Sequence, residues 1–310
     1  MKLAVIIPCY RVKAHILQVL QSIPENVDHI FVVDDACPEQ SGKLAETYND
    51  PRVEVIFHSQ NQGVGGAMIT GYRRMLETEC DVAVKMDGDG QMDARFIPQL
   101  IDPIVKGQAD YTKGNRFFHF RELRQMPRIR LFGNSALSFV LKLVSGYWNM
   151  MDPTNGFTAI HRETIRQLEL DKLDQRYFFE SDMLVQLNIT NAVVQDVPMP
   201  AKYEDEKSSM QISRILLQFP AKLLRRFCKR IFLKYFIYDF NMASVYLLLG
   251  IPLFVWGTGF GLMEWMSSHL ENTPRSAGTI MLSALPLIVS SQMLLQAIQI
   301  DINNVPKKKP

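Results

Sequence analysis

The sequence predicts an α/β protein whose mostly parallel sheet is followed by a basic amphipathic region and two transmembrane helices. Three observations carry this. Short apolar runs alternate with helix-length segments through the N-terminal part of the chain, polar motifs follow three of those runs, and two long stretches near the C-terminus carry no charged residue. Strands alternating with helices imply right-handed β-α-β units and a mostly parallel sheet. Such sheets hold ligands beyond the C-terminal ends of their strands, where the strand order reverses.

The first run, Leu3 to Ile7, is stopped by Pro8, and a helical pattern covers Lys13–Ser22. Ile30-Phe31-Val32-Val33 is the second run and ends in Asp34-Asp35; a helix-length segment spans Ser41–Tyr48. Val53 to Phe57 is the third, followed by Val64–Leu76, and Val82 to Met86 is the fourth. The stretch Asn61-Gln62-Gly63-Val64-Gly65-Gly66 fails as a dinucleotide fingerprint, because the third glycine position is Met68 and the motif follows the third strand. What remains is a glycine-rich helix start at Gly63. Its amides and dipole suit a phosphate or a base, and close packing of helix on sheet explains the glycines equally well.

The fourth run leads into Asp87-Gly88-Asp89-Gly90-Gln91. Alternate residues at a strand end bring Asp87 and Asp89 near each other, and the glycines let the backbone turn tightly. Two such carboxylates repel unless a cation sits between them, and hard oxygen ligands suit Mg²⁺ or Mn²⁺. A solvated Asp/Gly turn is the alternative. A calcium-hand loop does not fit, since its glycine position is Met92 and its final glutamate position is Pro98.

Composition adds bounds. The 310 residues have room for two domains, and a net charge of +2 gives no case for a nucleic-acid partner. The cysteines Cys9, Cys37, Cys80 and Cys228 are scattered without ligand spacing, which predicts reduced thiols, no disulfide frame and no zinc. The N-terminus runs directly into the first strand, leaving too short an apolar core for a signal peptide.

The motifs Ile7-Pro8-Cys9-Tyr10, Val33-Asp34-Asp35, Asn61-Gln62-Gly63 and Asp87-Gly88-Asp89-Gly90-Gln91, in this order, resemble family 2 glycosyltransferases of the GT-A (Rossmann-like) fold. Within that family the chain is most similar to the polyprenyl-phosphate sugar synthases. The resemblance implies that Pro8, Tyr10, Asp34 and Asp35 meet the nucleoside, with Gly63 on the same nucleotide. It also implies that Asp87, Asp89 and Gln91 hold the metal, Asp87 contacting the diphosphate as well. The family often has Ala between the aspartates and His after Gln, where this chain has Gly88 and Met92. Arg116, in Gly114-Asn115-Arg116, and Arg130 match phosphate-binding arginines, whose guanidinium forks suit phosphate oxygens; the other arginines nearby read as a solvated basic loop. Asp152-Pro153-Thr154-Asn155-Gly156-Phe157 resembles the family's acidic acceptor-side loop, so Asp89 and Asp152 are the catalytic candidates; a turn-capping role for Asp152 stays open. Phe178 opens an amphipathic helix in which Glu180 and Asp182 match sugar-pocket positions. The polar stretch Tyr203–Met210 corresponds to a loop that closes over the acceptor side.

Residues 208–238 change character. Ile212, Leu216, Phe219, Leu223, Phe227 and Ile231 recur every three or four residues, with Lys222, Arg225, Arg226, Lys229, Arg230 and Lys234 between them. This basic amphipathic pattern predicts interfacial helices at the headgroup layer, against the alternative of a surface helix packed on the core. Met242 to Met263 and Ala277 to Ile300 each reach the ~20 residues needed to cross ~30 Å of hydrocarbon. Lysine and arginine concentrate on the outer flanks, including Lys307-Lys308-Lys309, which places both flanks in the cytosol.

The expected organisation is therefore a cytosolic GT-A catalytic domain at 1–207, interfacial helices at 208–238 and a transmembrane hairpin with a basic tail at 239–310. The implied location is the bacterial inner membrane or its equivalent. The expected reaction is inverting transfer of a hexose-type sugar from a UDP- or GDP-sugar to a polyprenyl (undecaprenyl or dolichyl) phosphate, with Mg²⁺ or Mn²⁺ as cofactor. Nucleotide sugar, polyprenyl phosphate and lipid bilayer are the expected partners, and the hairpin offers a surface for homo-oligomers. Alternatives are another lipid or polysaccharide acceptor, although Q-x-x-R-W is missing, or a non-catalytic membrane adaptor.

Overall fold

Strand β1 (Leu3–Cys9) is buried along nearly its whole length, as an apolar run covered on both faces must be. It lies between β2 (His29–Asp34) and β4 (Val82–Lys85), parallel to both, and β3 (Val53–Phe57) extends the β2 side. The seven-stranded order is β3-β2-β1-β4-β6-β5-β7, with β5 at Tyr111–Asn115, β6 at Thr158–His161 and β7 at Val194–Pro198. Among the described residues only β6 runs against its neighbours, pairing antiparallel with β4 and β5. The chain steps outward from β1 to β2 and β3, then returns to the opposite side of β1 as β4. That reversal opens a crevice beyond the ends of β1 and β4. The loops carrying Tyr10 and Asp87 flank it. The chain is described here from a computed structural model covering residues 1–116, 128–200 and 212–308.

The helices are α1 (Ile16–Ser22), α2 (Ser41–Glu46), α3 (Val64–Leu76), α4 (Ile97–Val105), α5 (Arg128–Ser145), α6 (Arg162–Gln167), α7 (Phe179–Ile189), α8 (Ile212–Phe232), α9 (Met242–Glu271) and α10 (Ala277–Asn303). The alternating residues Leu3, Val5 and Ile7 of β1 join Ile16 and Leu20 of α1 and Leu100 of α4 in the main core. Ile6, between them in the strand, faces α3, where Gly71 leaves room for its side chain. Each predicted strand run is found at its predicted place, α3 has its predicted bounds, and the mixed α/β GT-A-like architecture is as expected.

Contacts divide the chain into two units, Met1–Arg230 with Pro306–Pro310, and Ile231–Val305. Helix α8 up to Arg230 thus belongs to the sheet-bearing unit, whereas the sequence pattern suggested a separate segment over 208–238. The second unit is built on α9 and α10, both long and apolar enough to cross a membrane. They pack through small residues: Ser283 Oγ donates to the Gly257 carbonyl at 2.9 Å. Trp256, Leu262, Ile288 and Leu295 are exposed, the reverse of a soluble core helix. Asn241 caps the start of α9 in a capping box, and Asn272 ends it in the left-handed conformation. Tyr235 donates its hydroxyl to Asp301 Oδ1 at 2.7 Å, joining the segment before α9 to the end of α10.

Candidate active site

A cavity of about 1390 Å³ lies in the first unit at the strand-order reversal. One end is polar and is lined by Pro8, Tyr10, Asp35, Gly63, Asp87 and Asp89. The other is an apolar lobe between α5 and α8, lined by Leu137, Val140, Val144, Leu223 and Phe227 among others. Glu180 at the start of α7 and Thr154 and Gly156 of the acidic loop line the space as well.

The nucleotide-side loops are fixed by the two adjacent acids, which do different work. Asp34 turns inward and accepts the Cys37 and Gly42 amides at 2.7 and 2.6 Å. It does not line the cavity; it shapes the loop after β2. Asp35 lines the cavity and accepts the Gln62 amide at 2.8 Å and the Gly63 amide at 2.7 Å. His58 supports it, with Nδ1 2.8 Å from Asp35 Oδ1 and Nε2 2.9 Å from Thr70 Oγ1. Gly63, at φ +91°, and Gly65 are pressed by the 174–176 loop, and a Cβ on Gly63 would stand 2.6 Å from the Gln175 carbonyl oxygen. Gly66 N donates to that same oxygen at 3.0 Å. Close packing therefore accounts for these glycines, while Gly63 still reaches the cavity.

The acid loop is held from below by Lys85, the last residue of β4. Its Nζ donates to Asp87 Oδ1 at 2.8 Å and to the Gly156 carbonyl at 3.3 Å, and lies 3.3 Å from Glu180 Oε1. Burial pulls the Lys85 ammonium down, but Asp87 and Glu180 together push its pKa above the ordinary lysine value. Met92 Sδ accepts the Asp87 amide at 3.2 Å, and Asp89 Oδ1 accepts the Gln91 amide at 3.0 Å. The Gln91 side chain is exposed and lies outside the cavity lining. Among the described residues no three His, Cys, Asp or Glu side chains gather as a metal cluster. The donor set at this wall is the carboxylates of Asp87, with one oxygen on Lys85, and Asp89. It fits a hard divalent cation that completes its shell with ligand oxygens and water.

Asp152, with no exposed side-chain surface, is gripped by Arg116 and accepts Thr154 Oγ1 at 3.2 Å. Neither Asp152 nor Arg116 lines the cavity, although their loop does so through Thr154 and Gly156. Behind them, Asp196 Oδ2 accepts the Met151 amide at 2.6 Å, and burial raises its carboxyl to about 6. Lys113 is fully buried, its Nζ has no hydrogen-bond partner among the described residues, and burial lowers it to about 8. Arg130 falls in α5, but its side chain lies outside the described residues, as do Arg121, Arg124 and the 203–210 stretch.

Glu180 and Asp182 part company. Glu180 faces the cavity, whereas Asp182 points to α8, where Arg226 Nη2 donates to it at 2.6 Å. Asp182 also accepts the Asp174 amide at 2.8 Å, and burial raises its carboxyl to about 6 against the pull of Arg226. The same face of α8 sets Lys222 against Asp174 and Lys229 3.9 Å from Glu169. Arg230, completely buried, donates to the Val144 and Leu143 carbonyls at 2.8 and 2.9 Å, capping α5. This is the core-packed alternative for that face; Arg225 is exposed.

The polar end thus gathers Pro8, Tyr10, Asp35, Gly63, Asp87, Asp89 and Glu180, and leaves Asp34, Gln91, Asp152, Arg116 and Asp182 outside its lining. Sequence reasoning passed over Lys85 and His58. A charged residue closing an otherwise apolar buried strand, two positions before an acid, was the available signal for Lys85.

Comparison with known proteins agrees with this architecture. Residues 4–169 match the family described as Glycosyl transferase family 2. The UDP-N-acetylglucosamine–dolichyl-phosphate N-acetylglucosaminyltransferase of Methanococcus voltae is 30% identical over 215 residues, 64% of this chain and 85% of that one. The undecaprenyl-phosphate mannosyltransferase of Micrococcus luteus is 32% identical over 181 residues, 57% of this chain and 72% of that one. Among solved structures, glucosyl-3-phosphoglycerate synthase from Mycobacterium tuberculosis, in complex with Mn²⁺, UDP-glucose and glycerol 3-phosphate, aligns with a TM-score of 0.55 at 18% identity, covering 73% of this chain and 79% of that one. That likeness is one of fold. The family match spans more than half of the 310 residues, and the chain belongs to glycosyl transferase family 2.

Proposed function

We propose that this chain transfers a hexose-type sugar from a UDP- or GDP-sugar to a polyprenyl phosphate at the cytosolic face of a membrane, with inversion at the anomeric carbon. The observation that carries the reading is that one continuous cavity is acidic where the nucleotide motifs meet and apolar between α5 and α8. A soluble acceptor has no use for the apolar lobe, and a polyprenyl chain does. Two relatives named for dolichyl- or undecaprenyl-phosphate substrates support the acceptor class.

In this reading an acceptor phosphate oxygen attacks the anomeric carbon, and the bond from that carbon to the donor diphosphate breaks. The nucleoside diphosphate leaves with the electron pair. The attacking oxygen is already ionised near neutral pH, so no strong general base is required. Asp35, braced by His58, holds the Gln62-Gly63 turn beside the nucleoside, together with Pro8 and Tyr10. Asp34 acts one step back, by shaping that loop. Asp87 and Asp89 would hold Mg²⁺ or Mn²⁺, which supplies charge neutralisation for the departing diphosphate. A structural neighbour determined with Mn²⁺ and UDP-glucose supports that choice of ion. Glu180 faces the sugar. Arg116 meets the acceptor phosphate by exchanging part of its grip on Asp152, which orients the arginine rather than removing a proton. Helices α9 and α10 form the transmembrane hairpin, with the C-terminal end of α9 from Glu264 and the turn through Arg275 outside.

The test incubates the purified full chain, in detergent with Mn²⁺, with undecaprenyl phosphate and a panel of UDP- and GDP-sugars. The expected result is a chloroform-extractable product of one sugar per lipid phosphate and an equal amount of released nucleoside diphosphate. A growing polymer, or no transfer with any donor, overturns the reading.

A further inference from the structure

Lys85 is placed where a strand of this sheet has least reason to carry a charge. Val82, Ala83 and Val84 before it are fully buried, and its own side chain is 2% exposed. The surroundings are built to receive it. Three separate segments converge on its Nζ: Asp87 from the acid loop, Glu180 from α7 and the Gly156 carbonyl from the acidic loop. A Cβ on Gly156 would stand 2.6 Å from Nζ and 2.9 Å from Asp87 Oδ2, so the close approach depends on a bare backbone there. Thr158, the register partner of Lys85 on β6, separates it from Lys113 on β5.

The charge arithmetic follows. One ammonium serves two carboxylates, with Asp89 at the same cavity wall. Were Lys85 absent, Asp87 and Glu180 would lose their shared ammonium, and this part of the cavity wall would be more negative and would favour a divalent cation by itself. With Lys85 present, one oxygen of Asp87 is occupied and a fixed positive charge sits against the cation position. A diphosphate entering the cavity brings the negative charge and the oxygens that restore the balance.

We propose that Lys85 is a positioning residue that makes divalent-cation binding at Asp87 and Asp89 conditional on the donor's diphosphate, by holding Asp87 and Glu180 in one partly neutralised cluster. The inference rests on the reading of Asp87 and Asp89 as cation ligands. A purely structural lysine would predict that its loss loosens the acids and weakens cation binding; a conditional site predicts the opposite.

The test measures free Mn²⁺ by electron paramagnetic resonance during titration of the purified full chain in detergent, alone and with saturating UDP or GDP. The parent is expected to bind Mn²⁺ weakly alone and much more tightly with the nucleotide. Lys85→Met is expected to bind Mn²⁺ alone about 10-fold more tightly or better, the lower end of what one charge at 4–6 Å exerts on proton binding, and to lose most of the nucleotide dependence. Lys85→Met with Glu180→Gln keeps the parent's net charge and removes the ion pair as a unit. It serves if the single variant does not fold: the ammonium against Asp87 is gone, so tightening over the parent is still expected, but less of it, because a carboxylate is lost as well. Unchanged or weaker Mn²⁺ binding in the folded variants overturns the proposal. Asp87→Asn and Asp89→Asn separate the two levels. If both bind Mn²⁺ like the parent, the cation-ligand reading itself is wrong; if both lose it while the Lys85 variants fail to gain, only the role of Lys85 falls.

Discussion

Arg116 grips Asp152 with two arms, Nε to Oδ2 at 2.8 Å and Nη2 to Oδ1 at 3.2 Å, while the carboxylate has no exposed surface and the arginine is 39% exposed. An arginine held this way is aimed before any ligand arrives, and its outward part remains accessible. Arg116→Met leaves a buried carboxylate with fewer donors and should cost about 1–3 kcal/mol of stability. It should also raise the KM for polyprenyl phosphate about tenfold, with the donor KM unmoved. Arg116→Lys keeps the charge and loses the fork, so it should recover stability better than acceptor affinity. Thermal unfolding and steady-state kinetics against each substrate check this.

Lys113 predicts a pH signature. Its folded-state pKa of about 8 lies below the ordinary lysine value of 10.5, because burial disfavours the charge. The folded state therefore binds fewer protons than the unfolded state between those values, and stability rises with pH across that window. The penalty is fully present below about pH 8 and lifts toward pH 10.5. Lys113→Met removes the penalty, so its advantage over the parent should be largest at pH 7 and shrink toward pH 10. Thermal midpoints of parent and variant over that range are the measurement.

Gly65 predicts a steric cost. A Cβ there would lie against the Asp174 carbonyl oxygen and the Gln175 backbone, neither of which is a movable side-chain end. Gly65→Ala should lose about 1–3 kcal/mol through forced backbone shifts. Because the displaced loop carries Arg176 and Tyr177 of the cavity wall, UDP affinity should fall as well. Gly259→Ala, whose Cβ would meet nothing within 4 Å among the described residues and which lies outside the cavity lining, is the control.

The apolar lobe predicts dependence on acceptor length. Val140 lines it and is 38% exposed, so a polar side chain is tolerated there without breaking the core. Val140→Gln should raise the KM for undecaprenyl phosphate several-fold and leave a short isoprenyl phosphate nearly unaffected. Equal effects on both acceptors would remove the lobe from the acceptor path.

The sheet was legible because buried parallel strands read as apolar runs, and the acid loop because alternate residues at a strand end share a side. Asp34 and Asp35 show where that logic stops. Neighbours on an extended segment face opposite ways, and only the fold tells which of them meets the cavity and which latches Cys37 and Gly42. Strand β6, four residues long and antiparallel, carries too short a pattern to announce itself. The cations of α8 were visible as a stripe, but Asp174 and Asp182, which face Lys222 and Arg226, lie 48 and 44 residues earlier in the chain. Periodicity reports that a face exists; it does not report what covers it.

That covered face has a practical consequence. With Lys222, Arg226 and Arg230 spent on carboxylates and helix-end carbonyls, little of the stripe is left to greet anionic phospholipid. High-salt or alkaline washing, which strips proteins adhering through surface charge, should leave this one in the pellet, and swapping zwitterionic for acidic vesicles should scarcely change its retention.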